Sequence, residues 1–180
     1  GKHSVWPNPL QDYEQAMEMI RTKAEEWKVF SDKVAVIGFS AGGHLAAAAA
    51  TMSKNRPNAA ILGYPVTGSD VKGCCATAPD TISCVDKNTC PCFIFATRTD
   101  AVVPVMNSIR FMEALVQADI SFESHIYSYG PHGFSTCDTS VQSGDTTISS
   151  RVPNWVSDSI GWLKEVFGDF GNGGMTKPVC

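Results

Sequence analysis

The sequence predicts an α/β fold built on an open parallel sheet of about four strands flanked by helices, and three observations carry that prediction. Short, nearly continuous apolar runs rich in Val, Ile and Phe occur at residues 32–39, 59–64, 92–97 and 122–127; such runs mark strands covered on both faces. Helical segments alternate with them, which implies parallel pairing. The chain of 180 residues is 43% apolar and only 18% charged, enough to bury one core and too short for a second large one.

Taken in order, Asn8, Pro9 and Gln11 read as a helix start with Asn as N-cap and Pro at the first helical position. Leu10, Tyr13, Met17, Ile20, Ala24 and Trp27 recur at spacings of three and four and give one apolar stripe ending near Trp27. The first strand, 32–39, leads into an Ala-rich helix at 40–52 that can lie close against a sheet. Helices follow at 105–118, with Val105, Ile109, Met112 and Val116 on one side, and at 152–167, with Trp155, Trp162, Leu163, Val166 and Phe167 inward. Residues 1–167 therefore form the domain, and the Gly-rich stretch 168–180 is expected to be a tail or linker.

Lys and Arg number 14 against 18 Asp and Glu, for a formal charge of −4. No basic stripe is present, which argues against nucleic acid and anionic membrane surfaces as partners. No apolar run approaches the roughly 20 residues of a membrane span. Seven cysteines stand at 74, 75, 84, 90, 92, 137 and 180. Their spacing fits a zinc knuckle poorly. One or two disulfides pinning the loop in a secreted protein is the better expectation. The start Gly1-Lys2-His3-Ser4 lacks the apolar core of a signal peptide and reads as a processing boundary.

Gly38-Phe39-Ser40-Ala41-Gly42 sits where the first strand meets the Ala-rich helix, the G-x-S-x-G arrangement of a nucleophile elbow. A sharp turn there strains the serine backbone, and glycines on either side are expected to remove the clashes. A glycine-rich strand-to-helix turn would show the same letters, so the motif alone does not decide the chemistry. A serine nucleophile needs a base, and the base needs a carboxylate to hold its tautomer. Asp100 lies three residues past the strand 92–97, and His132 five past the strand 122–127. The order Ser, Asp, His and the strand-end placement of all three point to Ser40, Asp100 and His132 as a catalytic triad. The backbone N–H of Ala41 becomes an oxyanion donor. His44, one helical turn past Ser40, and Tyr64, at the end of the second strand, are candidate substrate contacts; packing roles compete with both. His125 lies within a strand and reads as a packed histidine, His3 near the free end carries no argument, and Arg98 is an exposed or paired arginine before it is an anion site.

These residues resemble the acetyl esterase branch of the α/β hydrolases, which includes acetylxylan-esterase-like enzymes. The likeness runs through Pro9-Leu10-Gln11-Asp12, Ala24-Glu25-Glu26-Trp27, Asp32-Lys33-Val34 and Gly38-Phe39-Ser40-Ala41-Gly42-Gly43-His44-Leu45-Ala46. It continues at Gly63-Tyr64-Pro65-Val66, Thr99-Asp100-Ala101-Val102-Val103-Pro104 with Asn107-Ser108, and His132-Gly133-Phe134. The resemblance implies an α/β-hydrolase-type sheet and hydrolysis of short acyl esters, often acetyl groups on sugars, with no metal or organic cofactor. Two departures stand out. The family's early strands and its His-Gly-Gly-type loop have no counterpart, so the strands present match the C-terminal half of the family sheet. The Cys-rich residues 67–91 replace the usual segment over the pocket.

The expectation is therefore a serine hydrolase of short carboxylic esters, with a chain that is a fragment or whose open sheet edge is completed by a partner chain or a second copy. A second oxyanion donor is expected from outside the sequence or from a rearranged loop. A prolyl-oligopeptidase-type peptidase and a non-catalytic binding module of the same fold are the alternatives.

Overall fold

The computed structural model describes residues 6–73, 75–138 and 147–168. His3 and the rest of the N-terminal tetrapeptide, Cys74, Cys180 and the expected tail beyond Gly168 lie outside the described residues. In chain order the elements are α1 (Asn8–Thr22), α2 (Ala24–Trp27), β1 (Ala35–Phe39), α3 (Ala41–Met52) and β2 (Ala59–Gly63). They continue with β3 (Cys92–Thr97), α4 (Met106–Gln117), β4 (Phe122–Tyr127) and α5 (Trp155–Phe167). Short 3₁₀ turns occur at Ser69–Gly73, Ile82–Cys84 and Val152–Asn154.

The strands pair in parallel in the order β1-β2-β3-β4, with Ala35 opposite Ala59, Ile61 opposite Phe93 and Phe95 opposite His125. Every strand thus ends on the same side, and all strand-end loops meet at one rim. β2 and β3 are buried at every position, which is why their sequences are apolar without alternation. On one face, Ala46, Ala47 and Ala50 of α3 and Phe111 and Leu115 of α4 pack on Leu62 and Ile94. On the other, Trp155, Trp162 and Phe167 of α5 pack on Ile61, Phe93 and Phe95. The Trp155 and Phe95 rings stack at 4.2 Å and 9°. Alanines fill α3 because it is pressed from two sides: Ala48 and Ala49 meet Leu10 of α1 while the opposite side meets the sheet.

The expected first helix is interrupted. Lys23 leaves helical geometry (φ −100°, ψ 12°) and divides α1 from α2, and Lys28, left-handed at φ 57°, closes α2. Pro7, not Asn8, holds the N-cap position of α1, and no side chain caps it.

Residues 67–91 are fastened by hydrogen bonds. Thr81 donates its N–H and its hydroxyl to the Thr67 carbonyl at 2.9 Å each. Arg56 grips both carboxylate oxygens of Asp86 at 2.5 and 2.9 Å, which holds that carboxyl at about 2. Of the cysteines expected to pin this segment by disulfides, Cys84, Cys90 and Cys92, with Cys137, are unbridged thiols. Cys92 is fully buried at the start of β3 and donates to the Cys90 carbonyl, a small apolar residue in its role. Among the described residues no group of His, Cys, Asp and Glu side chains is placed to hold a metal ion, and no helix is long and apolar enough to cross a membrane.

Candidate active site

β1 delivers Ser40 to the rim in a conformation that side chains rarely adopt, φ 55° and ψ −118°. Such a backbone costs on the order of 1–3 kcal/mol and persists only where neighbours impose it. Here the Ser40 N–H donates to the Gly63 carbonyl at 2.9 Å, and the Ser40 carbonyl accepts from His44 at 3.1 Å and Val66 at 3.3 Å. A Cβ on Gly38 would sit 2.1 Å from the Gly42 carbonyl oxygen, and one on Gly43 would sit 2.8 Å from the Pro65 Cβ. Gly42 has nothing within 4 Å of its would-be Cβ. The steric need expected of the motif's second glycine is therefore met by the residue after it.

Three side chains from three loops join in a chain of hydrogen bonds. His132 Nδ1 lies 2.7 Å from Asp100 Oδ2, and His132 Nε2 lies 2.8 Å from Ser40 Oγ. Asp100 Oδ1 accepts the N–H groups of Val102 and Val103 at 2.9 Å each, and its side chain is 1% exposed. A carboxylate that only accepts places the proton on Nδ1, which leaves Nε2 bare toward the serine hydroxyl. Ala41 opens α3, so its N–H belongs to the unpaired donors of a helix start, where negative charge is favoured.

The His132 loop is held by residues that the sequence alone did not single out. Thr97 and Thr99 donate their hydroxyls to the Gly130 carbonyl at 2.8 and 3.1 Å, and the Gly130 N–H donates back to Thr99 at 2.9 Å. Beyond His132, Phe134 is buried, and the Trp155 indole N–H donates to the Ser135 carbonyl at 2.9 Å. The threonines flank Arg98 just before Asp100, a pattern of short polar side chains at a strand end that offered a local signal.

Tyr64 is not a pocket wall, which corrects its expected substrate contact. It is 4% exposed, its ring meets that of His132 edge-on at 4.9 Å, and its hydroxyl accepts the Ser135 N–H at 3.1 Å. Burial pushes its phenol up. His44 does line the cavity, yet its Nε2–H is committed to the Pro79 carbonyl at 2.9 Å and its ring packs edge-on against Trp6. Burial pushes the His44 imidazole below its ordinary value. It secures the overlying loop through that nitrogen. His125 packs on Phe93 and bonds Glu123 at 2.9 Å, well away from this cluster, and Arg98 is exposed.

Beside Ser40 opens a cavity of about 420 Å³, walled by Trp6, Leu45, Val66, Val71, Val102 and Val103 among others, a size that suits a small organic ligand. Parallel strands, a strained serine at the turn from β1 to α3, and a carboxylate and a histidine from the loops after β3 and β4 define an α/β protein whose hydrogen-bonded polar cluster stands at the carboxyl rim of its sheet. Comparison with known proteins bears on the fold and the family. Residues 1–72 match the BD-FAE family model. An α/β hydrolase enzyme from a Medee basin deep-sea metagenome library, MGS-M1, superposes with a TM-score of 0.83 at 38% identity, over 92% of this chain and 67% of that one. The carboxylesterase Cest-2923 from Lactobacillus plantarum WCFS1 superposes at 0.84 and 27% identity, over 96% and 72%. An acetylxylan esterase of Xylanibacter ruminicola is 33% identical over 148 residues, 70% of this chain and 31% of that protein. The chain belongs to the α/β hydrolases. It spans less than a third of the curated relatives it matches.

Proposed function

We propose that this chain carries the catalytic site of a serine esterase acting on short-chain carboxylic esters, with acetyl esters of carbohydrate as the natural class. The observation that carries the reading is the unbroken Ser40–His132–Asp100 hydrogen-bond chain, at 2.8 and 2.7 Å, beside an apolar cavity. In the reaction, Ser40 Oγ attacks the ester carbonyl while His132 Nε2 takes its proton. Asp100 holds the imidazole and stabilises its charged form. The Ala41 N–H, at the start of α3, faces the negative charge developing on the carbonyl oxygen. His132 then protonates the departing alcohol, and a water activated by the same nitrogen cleaves the acyl-enzyme. The name of the acetylxylan esterase relative supports acetyl as the acyl group.

The test is hydrolysis of p-nitrophenyl acetate by the wild type, Ser40→Ala, His132→Ala and Asp100→Asn. Loss of about 10³-fold or more in kcat is expected in each variant, because triad members act as a unit. A fluorophosphonate should label the wild type once and Ser40→Ala not at all. Equal rates in all four proteins would overturn the reading.

A further inference from the structure

The cavity beside Ser40 holds one charged side chain, Asp70, among its described lining residues. Asp70 stands on the 3₁₀ turn Ser69–Gly73 and is held by Asn107, whose amide is fully used. Asn107 Oδ1 accepts the N–H groups of Thr67 at 3.0 Å and Gly68 at 2.8 Å, and its Nδ2 donates to Asp70 Oδ2 at 2.9 Å and to the Pro104 carbonyl at 3.1 Å. Asn107 is itself buried. This arrangement fixes one carboxylate oxygen of Asp70 and leaves Oδ1 with no hydrogen bond from the described residues; Asp70 is exposed, so that oxygen is open to water and to a ligand alike. Of the other polar side chains on the cavity wall, His44 is committed to Pro79 and Ser40 to His132. A carboxylate accepts and cannot donate, so it is satisfied by a hydroxyl or an N–H on the ligand. In a cavity walled mainly by valines, leucine and tryptophan, it is the polar group that fixes orientation.

We propose that Asp70 sets the alcohol specificity of this site: its free oxygen accepts a hydrogen bond from a hydroxyl beside the ester, so the site takes neutral hydroxylated alcohols and turns away anionic ones. The acetyl methyl carries no donor, so the hydroxyl read by Asp70 belongs to the alcohol half. The inference rests on the esterase reading and goes further by assigning the recognition of the alcohol to a carboxylate outside the triad.

The experiment measures kcat/KM of the wild type, Asp70→Asn and Asp70→Ala on three acetate esters: p-nitrophenyl acetate, a methyl β-xyloside bearing one acetyl and two free hydroxyls, and 4-acetoxybenzoate, which carries a carboxylate. A hydrogen bond to a charged group corresponds to about 10- to 100-fold in rate. The ratio of xyloside to p-nitrophenyl acetate should therefore fall by about that factor in Asp70→Ala. Asp70→Asn keeps the shape and the bond from Asn107 but loses the charge, and its ratio of acetoxybenzoate to p-nitrophenyl acetate should rise about 10-fold. A variant that keeps fluorophosphonate labelling of Ser40 has an intact site. Ratios unchanged in both variants, with all three proteins active, overturn the role of Asp70 and leave the esterase reading standing. A wild type that hydrolyses none of the esters and leaves the reagent unreacted overturns both.

Discussion

Ser40 sits at φ 55° because the backbone around it permits no other route from strand to helix, and the two glycines nearest the clash do different work. Gly38 has the Gly42 carbonyl 2.1 Å from where a Cβ would stand, whereas Gly42 itself faces open space. Gly38→Ala must push the first turn of α3 away from β1 and so displace Ser40. It is expected to lose most p-nitrophenyl acetate hydrolysis and to melt well below the wild type. Gly42→Ala meets no obstacle and lies in a helix, where alanine is favoured. It should raise stability by about 0.5 kcal/mol. Thermal melts of both variants check this, and a Gly38→Ala protein as stable and active as the wild type would refute the steric account. The letters of the elbow were legible in the sequence. Which glycine relieves which clash was not, because Gly43 is constrained by Pro65, a residue brought beside it by the pairing of β1 with β2. The choice between a substrate contact and a packing role for Tyr64 is not legible locally for the same reason: the partners that make it a packing residue, His132 and Ser135, lie some seventy positions away.

At the scale of elements, all four strands and the helices α3, α4 and α5 are legible from apolar runs and spacing, β2 and β3 most directly because strands buried at every position leave no polar alternation to confuse the pattern. Residues 67–91 are not. Their composition suggested disulfides, yet the ties are Thr67 to Asn107, Arg56 to Asp86 and His44 to Pro79, each between residues at least thirty positions apart, and no local pattern announces them. The His44 tie titrates. Burial lowers the proton affinity of its imidazole in the folded chain, whereas in the unfolded chain it has the ordinary value near 6.5. Below that value the unfolded chain binds more protons, so acid favours unfolding. The contribution of His44 is present in full above about pH 6.5 and is lost as pH falls from there through the lower folded value. Glutamine can keep the donor to Pro79 without titrating. Between pH 7.5 and 5 the wild type should therefore lose more of its urea midpoint than His44→Gln does. Parallel curves for the two proteins would show that this tie carries no pH dependence.

For the molecule as a whole, the two edges of the sheet differ: β4 carries Glu123 and His125, whereas β1 carries no charge. β2 and β3 are covered on both edges and faces, but among the described residues no strand pairs with the outer side of β1. Val34 and Ser40 direct their backbone groups to β2, so strand alternation aims those of Ala35, Ile37 and Phe39 outward. The Ile37 side chain is 51% exposed beside them. An apolar strand with unpaired N–H and C=O groups is a template for another strand, and proteins that keep such edges free place charge on them. This edge carries none: its residues read Ala-Val-Ile-Gly-Phe. The chain of 180 residues should therefore associate with itself as concentration rises. Ile37→Lys, which sets a charge on the exposed position without touching the β2 side, should shift it toward monomer. Sedimentation velocity over a tenfold or greater range of concentration distinguishes the two. If wild type and Ile37→Lys sediment alike as monomers at every concentration, the open edge is not a template. If they associate alike, the contact lies on another surface, and in either case β1 is not what joins the copies.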